Sequence, residues 1–260
     1  MRATAPTRES APGTRPEGAA NERDAAQHVR KMFSRIAPRY DFLNHVLSLE
    51  LDRLWRRRTA KRVQHILERP GARVLDLCCG TADLLLALNR KGRARIFGSD
   101  FAHPMLVRAA EKIGRLQRSP DTGIAPGQLA EADALCMPFA DETFDLVTAA
   151  FGFRNLANYE GGLREIYRVL RPGGEIGILE FAEPRGKIFG PLFRFYFRQV
   201  LPRLGGQISR DGSAYTYLPN SVARFPSPEE LAGLMRTTGF LDVKFERWTG
   251  GTVTLHSARR

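Results

Sequence analysis

The sequence predicts a doubly wound α/β fold with a mostly parallel sheet and a helical N-terminal cap. Strand-like and helix-like segments alternate from residue 71 onward, Gly/Pro punctuation separates them, and helical apolar spacing precedes the alternation. The chain's 260 residues suffice for one large domain. A composition of 43% hydrophobic and 26% charged residues excludes wholesale disorder, collagen and coiled coil.

Residues 1–24 carry no aliphatic side chain larger than Ala beyond Met1 and cannot offset their ordering entropy by burial, so a flexible basic tail is expected. A helical cap follows over 25–70. Val29, Met32, Phe33 and Ile36 recur at helical spacing until Pro38 interrupts them. A second helix is expected from Ser48, with Leu51, Leu54, Trp55, Val63, Ile66 and Leu67 inward and Arg53, Arg56, Arg57, Lys61 and Arg62 elsewhere. That basic set reads either as a solvated face or as a contact for an anionic surface or a nucleic acid. The main domain, 71–260, opens with strand 73–77, helix 83–88, strand 95–99 and helix 104–113. Further strands are expected at 128–130, 144–149 and 175–181. A helix carrying Leu163, Ile166, Tyr167 and Leu170 is stopped by Pro172-Gly173-Gly174. A helix after Pro228 ends at Gly239, and strands 241–247 and 252–257 form an antiparallel hairpin closing the sheet edge.

The net charge of +12 is strongly basic. No apolar run approaches the roughly 18–20 residues of a membrane span, and residues 1–10 lack a signal-peptide apolar core. A cytoplasmic protein is expected. Cys78, Cys79 and Cys136 fit neither a disulfide framework nor a metal-binding spacing, so they read as reduced thiols and no metal is expected.

The string V-L-D-L-C-C-G-T-A-D, residues 74–83, places a strand before a tight turn at Gly80 and then opens a helix. Cys78 and Ala82 occupy the first and third glycine positions of a dinucleotide fingerprint, a poor match. Asp100 ends the next strand, where a carboxylate can accept hydrogen bonds from two ribose hydroxyls. These residues alone allow a nicotinamide dehydrogenase, an S-adenosylmethionine-dependent methyltransferase or a purely structural turn.

Downstream strings separate the alternatives. E-A-D-A-L-C-M-P-F (131–139), F-D-L-V (144–147) and L-R-P-G-G (170–174) resemble successive motifs of class I S-adenosylmethionine-dependent methyltransferases. M-F-S-R-I-A-P-R-Y-D-F-L-N (32–44), L-W-R-R (54–57), F-G-F-R-N (151–155), L-E-F (179–181) and Y-T-Y-L-P-N-S-V (215–222) resemble the ubiquinone/menaquinone biosynthesis C-methyltransferase family over residues 28–257. The resemblance implies a seven-stranded sheet with a reversed C-terminal strand. It further implies methyl transfer to a ring carbon of a polyprenylated hydroquinone, a benzoquinol or demethylmenaquinol. Within it, Asp76, Gly80, Thr81, Asp100, Asp133, Ala134 and Ala150 would hold the cofactor, and Cys78 stands where the family has Gly or Ala. Ala150 replaces a family Ser, so contact there is backbone or apolar. Arg154 and Asn155 would stabilise the phenolate, with Tyr40 and Asp41 of the cap orienting the phenol or relaying its proton. His28, His45, His65, His103 and His256 show no partner by spacing. Residues 187–204 interleave Phe189, Phe193, Tyr196 and Val200 with arginines, either as a core helix or as an interfacial helix beside the pocket. The implied partners are the quinol, an anionic membrane surface and a second copy of the chain; no nucleic acid is expected.

Overall fold

A computed structural model describes residues 13–16, 18–48, 50–90, 92–118, 128–184, 190–191, 195 and 212–260. Seven strands form one sheet in the order β3-β2-β1-β4-β5-β7-β6: β1 Arg73–Leu77, β2 Arg95–Asp100, β3 Gln128–Glu131, β4 Phe144–Ala150, β5 Leu170–Phe181, β6 Leu241–Trp248 and β7 Val253–Arg259. The pairings β1–β2, β2–β3, β1–β4 and β4–β5 are parallel, whereas β7 lies antiparallel between β5 and β6. The winding reverses between β1 and β4, which opens a crevice at their carboxyl ends.

The central strands read as continuous apolar runs because helices cover both sheet faces. Leu75 and Leu77 pack with Phe144, with Leu163 and Ile166 of α7 (Tyr159–Val169) and with Leu231 and Met235 of α9 (Pro228–Thr238). Val74 and Leu146 face the opposite core, formed by α5 (Asp83–Asn89), Ala109 and Ile113 of α6 (His103–Gln117), and Val63, Ile66 and Leu67 of the cap. Period-two alternation along β1 thus feeds two separate cores.

The cap differs from expectation in three ways. First, α1 (Glu22–Ile36) starts inside the stretch read as tail, capped by the Asn21 side chain on the Asp24 amide. Within that same stretch, Thr14 is buried and its amide donates to Leu156 O at 2.8 Å. Second, Pro38 does not end the helical region. It sits in the first turn of a 3₁₀ segment, Ala37–Arg39, which tolerates a missing N–H, and leads directly into α2 (Tyr40–Leu47). Third, α3 starts at Leu51 rather than at Ser48, because Glu50 takes a left-handed conformation (φ 64°) that breaks the chain from α2. Its inward face also differs: Arg56 is buried and Leu54 is 57% exposed.

The short α4 (Gln64–Leu67) follows, and α8 (Gly212–Arg224) was not anticipated. The hairpin forms as expected, but its second strand inserts beside β5, so β6 is the edge. The amphipathic reading at Phe189, Phe193, Tyr196 and Val200 falls outside the described residues. No helix among the described residues is long and apolar enough to cross a membrane.

Candidate active site

The chain leaves β1 through a loop in which Cys78, Gly80 and Ala82 all have positive φ (54°, 54° and 71°). Left-handed backbone costs of order 1–3 kcal/mol at a non-glycine residue, and surrounding hydrogen bonds hold it here. The Cys79 amide donates to Ser99 O, the Gly80 amide to Asp100 Oδ2 and the Ala82 amide to Cys79 O, each at 2.9 Å. Cys78 fits because a glycine faces it. A Cβ on Gly152, in the loop after β4, would lie 2.4 Å from Cys78 Cβ. All three cysteines are free, and burial pushes the Cys78 and Cys79 thiols up.

Two clefts meet at Tyr40, Cys78 and Gly80. The larger is lined by Asp100, Asp133 and Ala134, by Tyr40 and Phe33 of the cap, and by Phe151 and Asn155. Asp100 Oδ1 accepts the Ala102 amide at 2.9 Å and Oδ2 the Gly80 amide. Each carboxylate oxygen has a second lone pair, and burial raises the Asp100 pKa. Asp133 Oδ1 accepts the Leu135 amide at 2.9 Å, an Asx turn that fixes the adjoining Ala134. The smaller cleft is lined by Asp76, Thr81, Asp83, Arg56 and Ala150. Asp76 is buried; its Oδ1 accepts from Thr148 Oγ1 at 3.2 Å and its Oδ2 has no hydrogen-bond partner. Burial pushes its pKa up to about 7.

Of the four expected catalytic residues, two line the clefts. Tyr40 lines both, and burial raises its pKa and keeps the phenol neutral. Asn155 lines the large cleft and accepts from Tyr217 Oη at 3.0 Å. Arg154 sits behind it and lines neither cleft: its guanidinium donates to Glu180 Oε2 at 3.0 Å and to the Phe151 carbonyl, and Nε donates to Ser221 Oγ at 3.4 Å. Arg154–Glu180 is a fully buried ion pair, and the Arg154 charge still reaches Tyr40. Asp41 lines neither cleft; it pairs with Lys112 at 2.5 Å and accepts from the hydroxyl of Thr81, which lines the smaller one. Each Asp41 oxygen thus holds one partner and keeps a second lone pair.

Among the described residues, His45, Asp52 and Asp83 bring three potential metal-ligand atoms together. Arg56 already lies between the two carboxylates, paired with Asp52 and 3.6 Å from Asp83.

The family comparison decides what this geometry serves. The ubiE/COQ5 methyltransferase family description matches residues 20–260. The chain belongs to this family. It is 48% identical over 85% of its length, and 88% of the relative's, to a demethylmenaquinone methyltransferase of Deinococcus radiodurans. It is 42% identical, over 91% of its length and 90% of the relative's, to a ubiquinone/menaquinone biosynthesis C-methyltransferase of Geobacter sulfurreducens. Two solved structures share the fold at 18% identity. The [4+2]-cyclase SpnF aligns over 90% of this chain and 96% of its own at a TM-score of 0.65. A SAM-dependent methyltransferase from Aquifex aeolicus aligns over 77% and 88% at 0.55.

The clefts of this methyltransferase fit S-adenosylmethionine chemically. Asp100 offers acceptor lone pairs for vicinal hydroxyls, the Asp133–Ala134 turn offers a carboxylate and a backbone edge for adenine, and the orphaned Asp76 oxygen offers an acceptor for an ammonium group. Sequence reasoning gave no role to Glu180, Tyr217 or Lys112. Glu180 is a lone acid at an otherwise apolar strand end, L-E-F, Tyr217 lies within Y-T-Y-L-P-N-S-V, and Lys112 carries no local signal.

Proposed function

We propose that this S-adenosylmethionine-dependent methyltransferase methylates a ring carbon of a polyprenylated hydroquinone, demethylmenaquinol foremost and the corresponding benzoquinol second. The observation that carries the reading is the convergence of Tyr40, Asn155 and the apolar Phe33 and Phe151 on one cleft that Asp100 and Asp133 also line. The bound cofactor supplies an activated sulfonium methyl. A hydroquinone carbon becomes nucleophilic as the neighbouring phenol loses its proton, so the protein's task is alignment and phenolate stabilisation.

Tyr40, kept neutral by burial, can donate to the phenolate oxygen, and the Asn155 amide can donate to the same atom. Arg154 acts from behind, as a permanent cation fixed by Glu180, on the electrostatics of the cleft. Peripheral contact with an anionic membrane belongs to this reading, since the acceptor's prenyl tail partitions into lipid.

Purified protein incubated with methyl-labelled S-adenosylmethionine and each chemically reduced quinol in detergent, with oxidised quinones as controls, tests the reading. Label entering a reduced quinol but not its quinone supports it and assigns the ring. Binding of S-adenosylhomocysteine without labelling of either quinol overturns it.

A further inference from the structure

Lys112 lies on α6, outside both clefts, yet its ammonium is fully committed. Nζ is 2.5 Å from Asp41 Oδ2, 2.7 Å from Asp83 Oδ1 and 3.2 Å from Thr81 Oγ1, three acceptors for three donors. These acceptors come from two bodies: Asp41 belongs to cap helix α2, whereas Thr81 and Asp83 belong to the loop and helix that follow β1. The Thr81 hydroxyl adds a second tie to Asp41. Arg56 of cap helix α3 reaches the same Asp83 while pairing with Asp52, which also accepts from His45 and Ser48.

We propose that Lys112 is a positioning residue, an ion-pair latch that fastens α2 to the cofactor loop and thereby sets Tyr40 over the cleft. The proposal rests on the functional reading above. Tyr40 immediately precedes Asp41, and its ring edge lies 3.7 Å from where a Cβ of Gly80 would stand. Fixing Asp41 therefore fixes the roof of the loop. An isolated surface pair would contribute little. Lys112 differs because it is only 25% exposed and is the shared counter-ion of two carboxylates; without it Asp41 is left with the Thr81 hydroxyl and Asp83 with Arg56 at 3.6 Å. Cap closure and cofactor binding are then coupled, since both depend on the Gly80–Thr81 loop.

Lys112→Met, Asp41→Asn and their combination test the latch, with Lys112→Arg as the charge-conserving control. In ligand-free protein, amide hydrogen exchange over α2 accelerates in both single variants while β1 and β4 keep wild-type protection. Affinity for S-adenosylhomocysteine falls about tenfold, the KM for S-adenosylmethionine rises more than kcat falls, and the double variant is no worse than Lys112→Met alone. Lys112→Arg restores most of the affinity. Unchanged α2 exchange and affinity in Lys112→Met overturn the proposal. So does an equal loss of protection across α2, β1 and β4, which marks general destabilisation. If the wild type methylates neither quinol but the α2 difference persists, the functional reading fails and the latch stands.

Discussion

Asp76 shows how burial sets up a response to ligand. A carboxyl group with no partner on Oδ2 and a pKa near 7 carries its proton in the free protein at pH 6. An ammonium bound beside it favours the ionised form, so binding expels the proton. Calorimetric titration of S-adenosylhomocysteine at pH 6 in buffers of different ionisation enthalpy should report proton release that vanishes above pH 8 and is absent in Asp76→Asn. The same shift has a stability consequence. Because the folded pKa lies above the ordinary Asp value, the group favours the folded state at low pH, and that contribution is lost as pH rises from about 4 through about 7. Urea midpoints of Asp76→Asn should fall less than wild type across that window. Arg154 presents the opposite case, a buried charge held by its partner. Glu180→Gln leaves the guanidinium underpaired and should cost about 3–5 kcal/mol in denaturant unfolding. Arg154→Lys should unfold closer to wild type while losing turnover, because an ammonium cannot span Glu180, Phe151 O and Ser221 together.

Two loops, after β1 and after β4, have shaped each other. Cys78 occupies a left-handed position where a smaller residue would be easier, and Gly152 supplies the space. Gly152→Ala should therefore impair cofactor binding and lower the melting temperature, and adding Cys78→Gly should recover a large part of both, a coupling readable in a double-mutant cycle. Neither partner was legible by itself, since close approach between loops 74 residues apart leaves no local pattern. The strands were legible for a local reason: burial on both faces of a parallel sheet demands apolar runs, and Gly or Pro must end them. Asp100 was legible because it ends β2, and Asp133 because the motif string 131–139 that follows β3 carries it. The cap was harder to read. Pro38 looks like a breaker but sits where a helix needs no N–H, and Arg56 is inward only because Asp52 and Asp83 meet it there. A buried cation whose acid partners lie on two different helices gives periodicity nothing to detect, and Lys112 escaped for the same reason.

At the scale of the whole molecule, a net charge of +12 and a lipid-soluble acceptor point to the same meeting place. In the proposed reading the acceptor's prenyl tail partitions into lipid, so the cleft would meet the quinol at the bilayer interface. Helix α3 presents a suitable face. Trp55 packs inward on Phe151, a wall of the large cleft, while Leu54, Arg57 and Lys61, at helical i, i+3 and i+7 spacing, point outward and are exposed. Each cation near an anionic surface contributes about 1 kcal/mol, and an exposed Leu adds apolar contact at the headgroup boundary. Cosedimentation should therefore show binding to anionic but not neutral vesicles, weakening as salt rises. Reversing Arg57 and Lys61 to Glu should weaken it by at least about tenfold, with activity on a water-soluble short-chain quinol retained because neither residue lines the clefts. Wild-type vesicle affinity in that double variant would move the contact to another face. Salt-steep RNA binding without vesicle preference would mean that the basic surface serves a polyanion, since counterion release alone accounts for such a slope.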